Sequence, residues 1–454
     1  MRFLVLAALL TLVSTACLGS TTTRVPARVP PSRLVLQTFV PRQQDAPRRS
    51  TLTAIDPDTL EDAPEVPALD VVPCSSGFRV QPTGQLLASV AGATGAGACA
   101  DAPTAAVRLL DLTAWTWRDD IALPTGGSTL RVDALQGPAL AWSPDGRWLY
   151  LITTDETEQR QLWLIDTSSR GATPLSVRLD FVPERLDVAP NGSSVFVLGG
   201  RSADNTRESM AVPGSGFVAI YDPLSLTERI RVPLSGLDIG QADQAPGSVW
   251  PGVAMAPDGS RYYVVHGDRP LVDVVDVRAP HFERLERSIS LRETAPATGT
   301  SSAWLAASPD GARLYVWQPT AEPSDDLGLQ MVDVGTSHVE TVDPIAIRLG
   351  SSAQGPWLFR LDPPLSQRPG AQRSRDPTGA RLSVLDSKTL TEQAVLDQDH
   401  FAFNLSQYAD RTYVIDRQPG RSTLLTEFAN GSWASVTQRE LTAPGWLITA
   451  QSVW

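Results

Sequence analysis

Short strand-like runs of mainly hydrophobic residues recur along the chain, and each of them ends in an aspartate. Leu162–Asp166 (Leu-Trp-Leu-Ile-Asp) and Val272–Asp276 (Val-Asp-Val-Val-Asp) are typical. Equivalent runs end at Asp56, Asp111, Asp222, Asp333 and Asp386. Successive aspartates are 53 to 57 residues apart, and a period this regular indicates one structural unit repeated along the chain.

A second signal lies between these runs, a Pro-Asp-Gly turn followed by an aromatic-rich strand. Ser143-Pro-Asp-Gly146 precedes the predicted strand Trp148–Ile152. Proline presets φ, aspartate supplies a side-chain acceptor and glycine takes the positive-φ position, so the pattern predicts a hairpin turn. Related turns stand at Gln81–Gly84, Ala189–Gly192, Ala256–Gly259 and Ser308–Gly311.

Together the two signals predict a unit of four antiparallel strands, which we name A to D. Strand A precedes the turn, strand B follows it, strand C ends in the aspartate, and strand D comes last, as at Glu228–Leu234. Four-stranded units of this length are the blades of a β-propeller, an all-β fold. We expect each strand-C aspartate to form an Asx turn into strand D rather than to act as a catalytic carboxylate.

The repeat resembles that of the bacterial YVTN-type propellers, which share Ser-Pro-Asp-Gly, Leu-Tyr-Val and Val-x-Val-Ile-Asp elements. Ser308–Val316 and Leu162–Thr167 match those elements best, and the resemblance covers Phe78–Leu349 well and the flanks weakly. The resemblance implies the propeller fold. It implies no single function, because such propellers serve as binding proteins, enzymes and scaffolds.

The number of blades follows from how the ring closes. Arg33–Leu69 supplies strands B, C and D without an A strand, and Pro444–Gln451 is an A strand without a B strand. Pairing the two ends completes one blade and removes exposed sheet edges. Further blades are predicted at about 74–123, 138–180, 183–234, 250–291, 303–349, 356–397 and His400–Leu441. The total is eight, and the alternative is seven if one of the two weakly patterned late units does not form a full blade.

The first 32 residues are predicted to export and anchor the protein. Arg2 and the apolar run Leu4–Val13 indicate a signal peptide over residues 1–16, because the run is too short to span a membrane. The segment resembles a bacterial lipoprotein signal, which implies that Cys17 is lipidated and holds the protein at a membrane of the cell envelope. Ser14 stands where such signals usually have leucine, so a soluble secreted or periplasmic protein is the alternative. Residues 17–32 form a flexible tether, and residues 33–454 form a single propeller domain.

The cysteine count fits a lipid anchor. If Cys17 carries the lipid, Cys74 and Cys99 remain as a pair in an oxidising compartment, and we expect them to form a disulfide. The alternative is that both are unpaired core residues.

Composition and motifs argue against several functions. The formal net charge is −12 and no basic stripe is present, so we expect no nucleic-acid partner. No nucleophile elbow, phosphate loop or dinucleotide fingerprint occurs, and we name no catalytic residue. We predict no cofactor and no metal site; Asp268, Asp325 and Asp326 could bind calcium, but solvated acidic loops are commoner. The histidines lack metal-ligand spacing and are expected at the surface: His266, His281, His338 and His400.

The strand order of a blade predicts two unlike faces of the disc. The A–B and C–D turns are short and define what we call the short-turn face, whereas the B–C and D–A connections define the long-loop face. Binding residues usually concentrate on long loops, although sequence drift in tolerant loops is the alternative. The long connections are Ala91–Ala105, Gly199–Gly216, Ser235–Val249, Gln318–Leu327 and Pro364–Gly379.

Four tryptophans are candidate ligand contacts. Trp250, Trp304, Trp357 and Trp446 are predicted at or just before the start of an A strand, near the channel mouth on the long-loop face. There they would form an aromatic rim for a sugar or a peptide. The alternative is that they pack between blades.

We therefore favour a non-enzymatic binding or scaffold protein that engages a protein or glycan through its long-loop face and contacts a membrane only through its lipid anchor. The alternative is a hydrolase, lactonase-like by family analogy, with a divalent metal at the central channel. That alternative requires at least three Asp, Glu, His or Asn side chains to converge at the channel mouth. The oligomeric state is not predicted.

Overall fold

Every regular element in the described part of the chain is a β-strand. The computed structural model describes residues 33–39, 50–63, 65–71, 76–91, 106–124, 130–131, 139–155, 159–169, 173–202, 211–237, 249–267, 269–278, 283–292, 301–318, 328–343, 348–352, 355–362, 379–399, 401–408, 410–417, 423–441, 445–448 and 451–452. Within these ranges no helix is long and apolar enough to cross a membrane. Residues 1–32 lie outside them, so the signal peptide, the lipidation of Cys17 and the tether stay predictions.

Blade 1 is built from both ends of the chain, as the sequence predicted. Its strands A to D are β36 (Gly445–Ile448), β1 (Leu34–Phe39), β2 (Ser50–Ile55) and β3 (Leu69–Asp70). Strands β1 and β36 run antiparallel, with Val35 opposite Ile448 and Thr38 opposite Gly445. The backbone hydrogen bonds of this pair close the ring.

Blades 2 to 4 follow in chain order, each given from strand A to strand D. Blade 2 comprises β4 (Ser76–Val80), β5 (Leu86–Ala91), β6 (Ala106–Asp111) and an outer strand in two pieces, β7 (Thr116–Trp117) and β8 (Ile121–Ala122). Blade 3 comprises β10 (Leu140–Trp142), β11 (Trp148–Asp155), β12 (Arg160–Asp166) and β13 (Leu175–Leu179), with β9 (Leu130–Arg131) added to β11. Blade 4 comprises β14 (Phe181–Val188), β15 (Val195–Ser202), β16 (Ala211–Tyr221) and β17 (Glu228–Pro233).

Blades 5 to 8 complete the ring. Blade 5 comprises β19 (Gly252–Met255), β20 (Arg261–Val265), β21 (Leu271–Asp276) and β22 (Arg284–Ser290), and blade 6 comprises β24 (Trp304–Ala307), β25 (Arg313–Trp317), β26 (Leu329–Asp333) and β27 (Val339–Asp343). Blade 7 comprises β28 (Arg348–Ser351), β29 (Trp357–Asp362), β30 (Arg381–Asp386) and β31 (Glu392–Gln398). Blade 8 comprises β32 (Phe401–Tyr408), β33 (Arg411–Arg417), β34 (Thr423–Ala429) and β35 (Ser435–Leu441), with β37 (Gln451–Ser452) paired to the free edge of β32. The protein is thus an eight-bladed all-β propeller, and the prediction of eight blades is confirmed.

The A–B turns adopt the hairpin conformation that their sequence predicts. In Ser143–Gly146 the Gly146 amide donates to the Ser143 carbonyl at 2.8 Å, and Gly146 has φ of 74°. Only glycine adopts this left-handed backbone without steric cost. The equivalent glycines, all with positive φ, are Gly84, Gly192, Gly259 and Gly311.

The hydrophobic core is divided among the interfaces between neighbouring blades. Phe196 of blade 4 stacks on Tyr262 of blade 5 with ring centroids 5.0 Å apart, and both side chains are fully buried. At the closing interface, Leu36 of blade 1 and Tyr413 of blade 8 belong to one buried cluster. Comparable clusters join the other neighbouring pairs. Each blade is therefore held by two apolar interfaces as well as by its own hydrogen bonds.

Blade 7 begins earlier than the sequence predicted. Its A strand is Arg348–Ser351, whose first two residues the sequence analysis placed at the end of blade 6, and Trp357 opens strand B. The turn between these strands, Ser352–Pro356, reads Ser-Ala-Gln-Gly-Pro and lacks the Pro-Asp-Gly signature. Because that signature was the marker of strand A, its absence shifted the predicted start of this blade to residue 356.

Candidate functional site

The innermost strands of the blades surround a central channel. Each A strand is the edge of its sheet, and neighbouring A strands contact one another around the ring, as β4 does with β10 and β36. All blades have the order A-B-C-D, so the A–B and C–D turns leave one face and the B–C and D–A connections leave the other. The two faces that the sequence predicted are therefore present.

The carboxylates on the short-turn face are used within the turns that they begin. Asp166 accepts the Ser168 amide at 2.9 Å through Oδ1 and Arg147 Nη2 at 2.8 Å through Oδ2. The predicted Asx turns are therefore confirmed. Equivalent hydrogen bonds from backbone amides reach Asp56, Asp111, Asp222, Asp276, Asp333 and Asp386.

These contacts stabilise the ionised carboxylates. Hydrogen bonding to Arg278 lowers the pKa of Asp276 to about 2. Burial raises the pKa of Asp222, but hydrogen bonds from the turn amides and from Arg229 outweigh burial and lower this pKa to about 2. Because their hydrogen-bonding capacity is consumed inside the turns, these aspartates are structural.

The connections on the long-loop face share no such pattern. In blade 4, the pairing of β16 with strand D ends at Phe217. The pairing of β16 with β15 extends further from the blade, to Ala211 opposite Ser202. Short strands β18 (Val249–Trp250) and β23 (Ser301–Ser302), which precede the A strands of blades 5 and 6, pair in parallel. The remaining parts of the long connections lie outside the described residues: 92–105, 203–210, 238–248, 319–327 and 363–378.

The candidate tryptophans do not all lie on one face. Trp304 opens strand A of blade 6 and is half-buried, Trp250 lies just before strand A of blade 5, and Trp446 lies within β36. The side chains of Trp250 and Trp446 are outside the described part of the molecule, so the aromatic rim stays a prediction. Trp357 was wrongly placed. As the first residue of a B strand it lies at the short-turn face, where its ring packs edge-to-face on Trp433 of blade 8 at 5.6 Å.

Several other candidate residues lie outside the described ranges. The predicted disulfide between Cys74 and Cys99 is among them and stays a prediction. So do the possible calcium ligands Asp268, Asp325 and Asp326. Of the surface histidines, His281 and His400 also lie outside, and His338 is exposed.

His266, in contrast, is fully buried, so its predicted surface position was wrong. It follows β20 at the long-loop face and, like Asp273 of β21, has no solvent-accessible side-chain surface. His266 Nε2 lies 2.9 Å from Asp273 Oδ2, which also accepts the Ser235 amide at 2.7 Å, while Oδ1 accepts Ser288 Oγ. Burial raises the pKa of Asp273, but these three donors outweigh burial and lower it overall.

This network joins three consecutive blades. Ser235 belongs to the connection that leaves blade 4, and Gln318 of blade 6 donates to the carbonyls of His266 at 2.6 Å and Arg269 at 2.8 Å. The His266 and Asp273 side chains are inaccessible and do not face a ligand; together with Gln318 they form a network that holds the long-loop ends of blades 4 to 6 together.

A second polar cluster, formed by Arg79, Arg185 and Asp187, lies on the strands around the channel. Arg79 belongs to β4 of blade 2, and the other two belong to β14 of blade 4. Arg185 Nε donates to Asp187 Oδ2 at 3.1 Å, and the Tyr262 hydroxyl donates to the same oxygen at 2.7 Å. Burial and the positive charge of Arg185 lower the pKa of Arg79 overall, while the negative charge of Asp187 acts in the opposite direction. We call these three residues the channel cluster.

The channel cluster carries an excess of positive charge. Its one carboxylate already accepts two hydrogen bonds, and among the described residues no carboxylate forms an ion pair with Arg79. Chemically, such a group attracts anions, because two guanidinium groups present more donors than Asp187 can accept.

The sequence contained a signal for this cluster that was missed. Arg79 and Asp187 stand two residues before an A–B turn, the position that alanine occupies in the other three blades with this signature, as Ala141, Ala254 and Ala306. A charged residue in place of a small apolar one, on the innermost strand, marks a departure from the repeat.

A cavity of about 500 Å³ opens elsewhere, between the outer parts of blades 2 and 3. Its lining includes Arg118 and Asp120. Both are already ion-paired, Arg118 with Asp111 at 2.7 Å and Asp120 with Arg108 at 3.0 Å. We therefore place the candidate small-molecule site in the channel and not in this cavity.

The ligand set that a channel metal requires is not found among the described residues. No group of three or more His, Cys, Asp and Glu side chains in that part of the chain could hold a metal ion. The channel cluster, with two arginines and one carboxylate, does not fit a divalent cation either, because the arginines repel it.

Comparisons with known proteins support the fold. No family model and no curated protein matches the chain. The structure is similar to the dihydro-heme d1 dehydrogenase NirN, with a TM-score of 0.56 and 12% identity over 93% of this chain and 76% of that chain. It is also similar to the periplasmic gluconolactonase of Pseudomonas aeruginosa, with a TM-score of 0.46 and 13% identity over 91% and 100% of the two chains. The likeness to NirN, at 12% identity, shows the propeller fold alone and carries no information about the activity of this protein.

Proposed function

We propose that the protein is a non-enzymatic binding module of the bacterial cell envelope, which engages a protein or glycan partner through its long-loop face. A difference between the two faces supports this function. The repeat dictates the short-turn face, where the aspartates are consumed in Asx turns. The connections on the long-loop face do not follow the repeated sequence pattern. Connections that differ from blade to blade are suited to recognising a specific partner.

The β15–β16 hairpin is the clearest example. Past a register shift after Gly200, its pairing continues beyond the end of strand D to Ser202 opposite Ala211. A paired ribbon is a more rigid support than an open loop, and rigid supports reduce the entropy that binding must overcome.

The lactonase-like alternative depends on the central channel rather than on the long-loop face. It needs converging metal ligands at the channel, and the described residues do not include such a set. Its remaining basis is family analogy from the sequence motifs.

A loop-shortening experiment tests the proposal. Because Ser202 and Ala211 face each other, residues 203–210 can be replaced by Asn-Gly, a two-residue turn that suits a hairpin. Partners of the full-length protein are first identified by cross-linking in intact envelopes. We expect the shortened variant to keep the melting temperature of the wild type and to lose a partner.

The matched control is Leu224→Ser, which changes an exposed hydrophobic residue, 59% accessible, in a C–D turn of the same blade on the short-turn face. It should retain all partners. Partners that survive loop shortening but are lost with Leu224→Ser would contradict the proposal. Hydrolysis of gluconolactone that depends on an added divalent metal would favour the enzymatic alternative instead.

A further inference from the structure

The channel cluster lies towards the short-turn end of the channel. Arg79 and Asp187 are each the last residue but one of their strands, and both strands end at an A–B turn on that face. Blades 2 and 4, which carry the cluster, are separated by blade 3. The cluster is therefore a different surface from the loops of the long-loop face, and an inference about it is independent of the proposed function.

Arg185 uses only one of its nitrogen atoms to contact Asp187. Its Nε makes the contact at 3.1 Å, and among the described residues its two terminal amino groups make no hydrogen bond. The Arg185 side chain keeps 30% of its surface accessible, although it starts from an innermost strand. Its terminal groups are therefore open to a small molecule in the channel.

Arg79 has even fewer hydrogen-bond partners than Arg185 among the described residues. Its guanidinium makes no hydrogen bond within the described part of the chain, and the nearby charge of Arg185 repels it. The one carboxylate beside them, Asp187, offsets only one of the two like charges, so a second anion would reduce the repulsion that remains. Guanidinium groups pair best with carboxylates and phosphates, whose two oxygens match the fork of donors.

The surrounding positions leave room for such a group. Blade 3 lies between the two arginines, and at the matching position of its A strand it has Ala141, a half-buried alanine. Blade 5, on the other side of Asp187, has Ala254 at its matching position. The A strands of blades 3 and 5 therefore carry small side chains at the positions that match Arg79 and Asp187.

We propose that Arg79 and Arg185 bind a small oxyanion, with a carboxylate or phosphate group, in the central channel. Asp187 holds Arg185 through Nε and so directs its terminal amino groups away from the carboxylate. The Tyr262 hydroxyl fixes Asp187 from blade 5. Arg79 supplies the second set of donors from the other side of blade 3.

Calorimetric titration of the full-length protein in Tris chloride buffer at constant ionic strength tests the site. The probes are inorganic phosphate and citrate, which separate the phosphate and carboxylate sources of the same chemistry. We expect saturable binding of at least one probe. Arg79→Gln should weaken it about tenfold or more, because it removes hydrogen bonds to a charged group. Arg79→Lys should restore it only in part, because lysine keeps the charge but not the fork.

The matched control is Arg178→Gln, which removes the same charge from an exposed position on β13, an outer strand of blade 3. Binding should be unchanged. An equal loss in both variants would mean that only general electrostatic attraction was measured, and the absence of saturable binding by either probe would overturn the proposal.

Stability without ligand gives an independent readout. Arg79→Gln should melt at the same temperature as the wild type or higher, since the repulsion by Arg185 that it relieves is larger than the attraction to Asp187 that it removes. Clear destabilisation of the ligand-free variant would assign Arg79 a structural role and overturn the proposal.

Discussion

The two faces of the disc differ in where their carboxylates find hydrogen-bond donors. On the short-turn face, a carboxylate accepts amides two or three residues ahead of it, as Asp222 does from Leu224 and Ser225. On the long-loop face of blade 5, Asp273 accepts a donor 38 residues away, at Ser235, and the carbonyl of His266 accepts one 52 residues away. The strand-C aspartates of the short-turn face are therefore hydrogen-bonded within their own turns in blade after blade, whereas Asp273 on the long-loop face is hydrogen-bonded from a neighbouring blade.

This difference predicts how strongly a substitution on each face affects stability. A local turn survives loss of one side chain, because its backbone amides remain near water. A buried network between blades does not, because each remaining partner is left without water. Substitutions at the network residues of the long-loop face should therefore cost more than substitutions at the turn aspartates.

The largest effect should come from Asp273→Ala. Removing a buried, ionised partner of His266, Ser288 and the Ser235 amide should lower the free energy of unfolding by about 3–5 kcal/mol. Asp166→Ala on the short-turn face should cost about 1 kcal/mol, as for other side-chain caps of backbone amides. Urea unfolding of both variants checks the difference. Equal losses would break the contrast between the faces.

The contrast also explains which features could be predicted from the sequence. Asx turns and Pro-Asp-Gly turns depend only on residues within one turn. They could be predicted because the same residue types, such as Asp222 and Gly146, recur at the same positions in several blades. Ring closure was predictable because strand types were missing at both ends. The network around His266 depends on three blades, and no local pattern marks it.

Where a local signal is absent, prediction failed even on the short-turn face. The turn Ser352–Pro356 has no Pro-Asp-Gly, and Trp357 was therefore assigned to the wrong strand and the wrong face. The channel cluster was not predicted, for a different reason. Arg79 and Asp187 were visible as exceptions to the repeat, but their proximity depends on the ring and not on either blade alone.

A smaller effect would test whether the short-turn face is as local as its Asx turns suggest. A Cβ added to Gly146 would lie 2.7 Å from Cγ of Gln81, a buried residue of blade 2 that donates Nε2 to the Gly146 carbonyl. Gly146→Ala should therefore cost about 2–3 kcal/mol, from left-handed backbone strain together with this contact between blades.

Gly431→Ala separates the two contributions. Gly431 also has positive φ, 89°, but a Cβ there would meet nothing within 4 Å. It should cost about 1–2 kcal/mol from backbone strain alone. If the two variants unfold at the same urea concentration, the link from Gln81 to Gly146 adds nothing and the face is local throughout.

The smallest effect concerns the pH dependence of one turn. The pKa of Asp276 is lowered from 3.8 to about 2, first by hydrogen bonding to Arg278. A carboxyl with a lower pKa in the folded state stabilises the fold above its unfolded pKa near 4, and this contribution disappears as pH falls towards 2. Asp276→Asn should therefore be about 1 kcal/mol less stable than the wild type at pH 6, with solvent screening at the exposed Arg278 reducing the value.

The difference between Asp276→Asn and the wild type should shrink between pH 4 and pH 2, since the protonated wild-type carboxyl and the amide are then alike in charge. Urea unfolding at several pH values measures it. Asp58→Asn, which changes an exposed carboxyl whose oxygens accept no hydrogen bond among the described residues, is the matched control. A difference that stays constant down to pH 2 would mean that Asp276 acts through the shape of the turn, which asparagine alters, and that the charge of the short-turn aspartates does not contribute to stability.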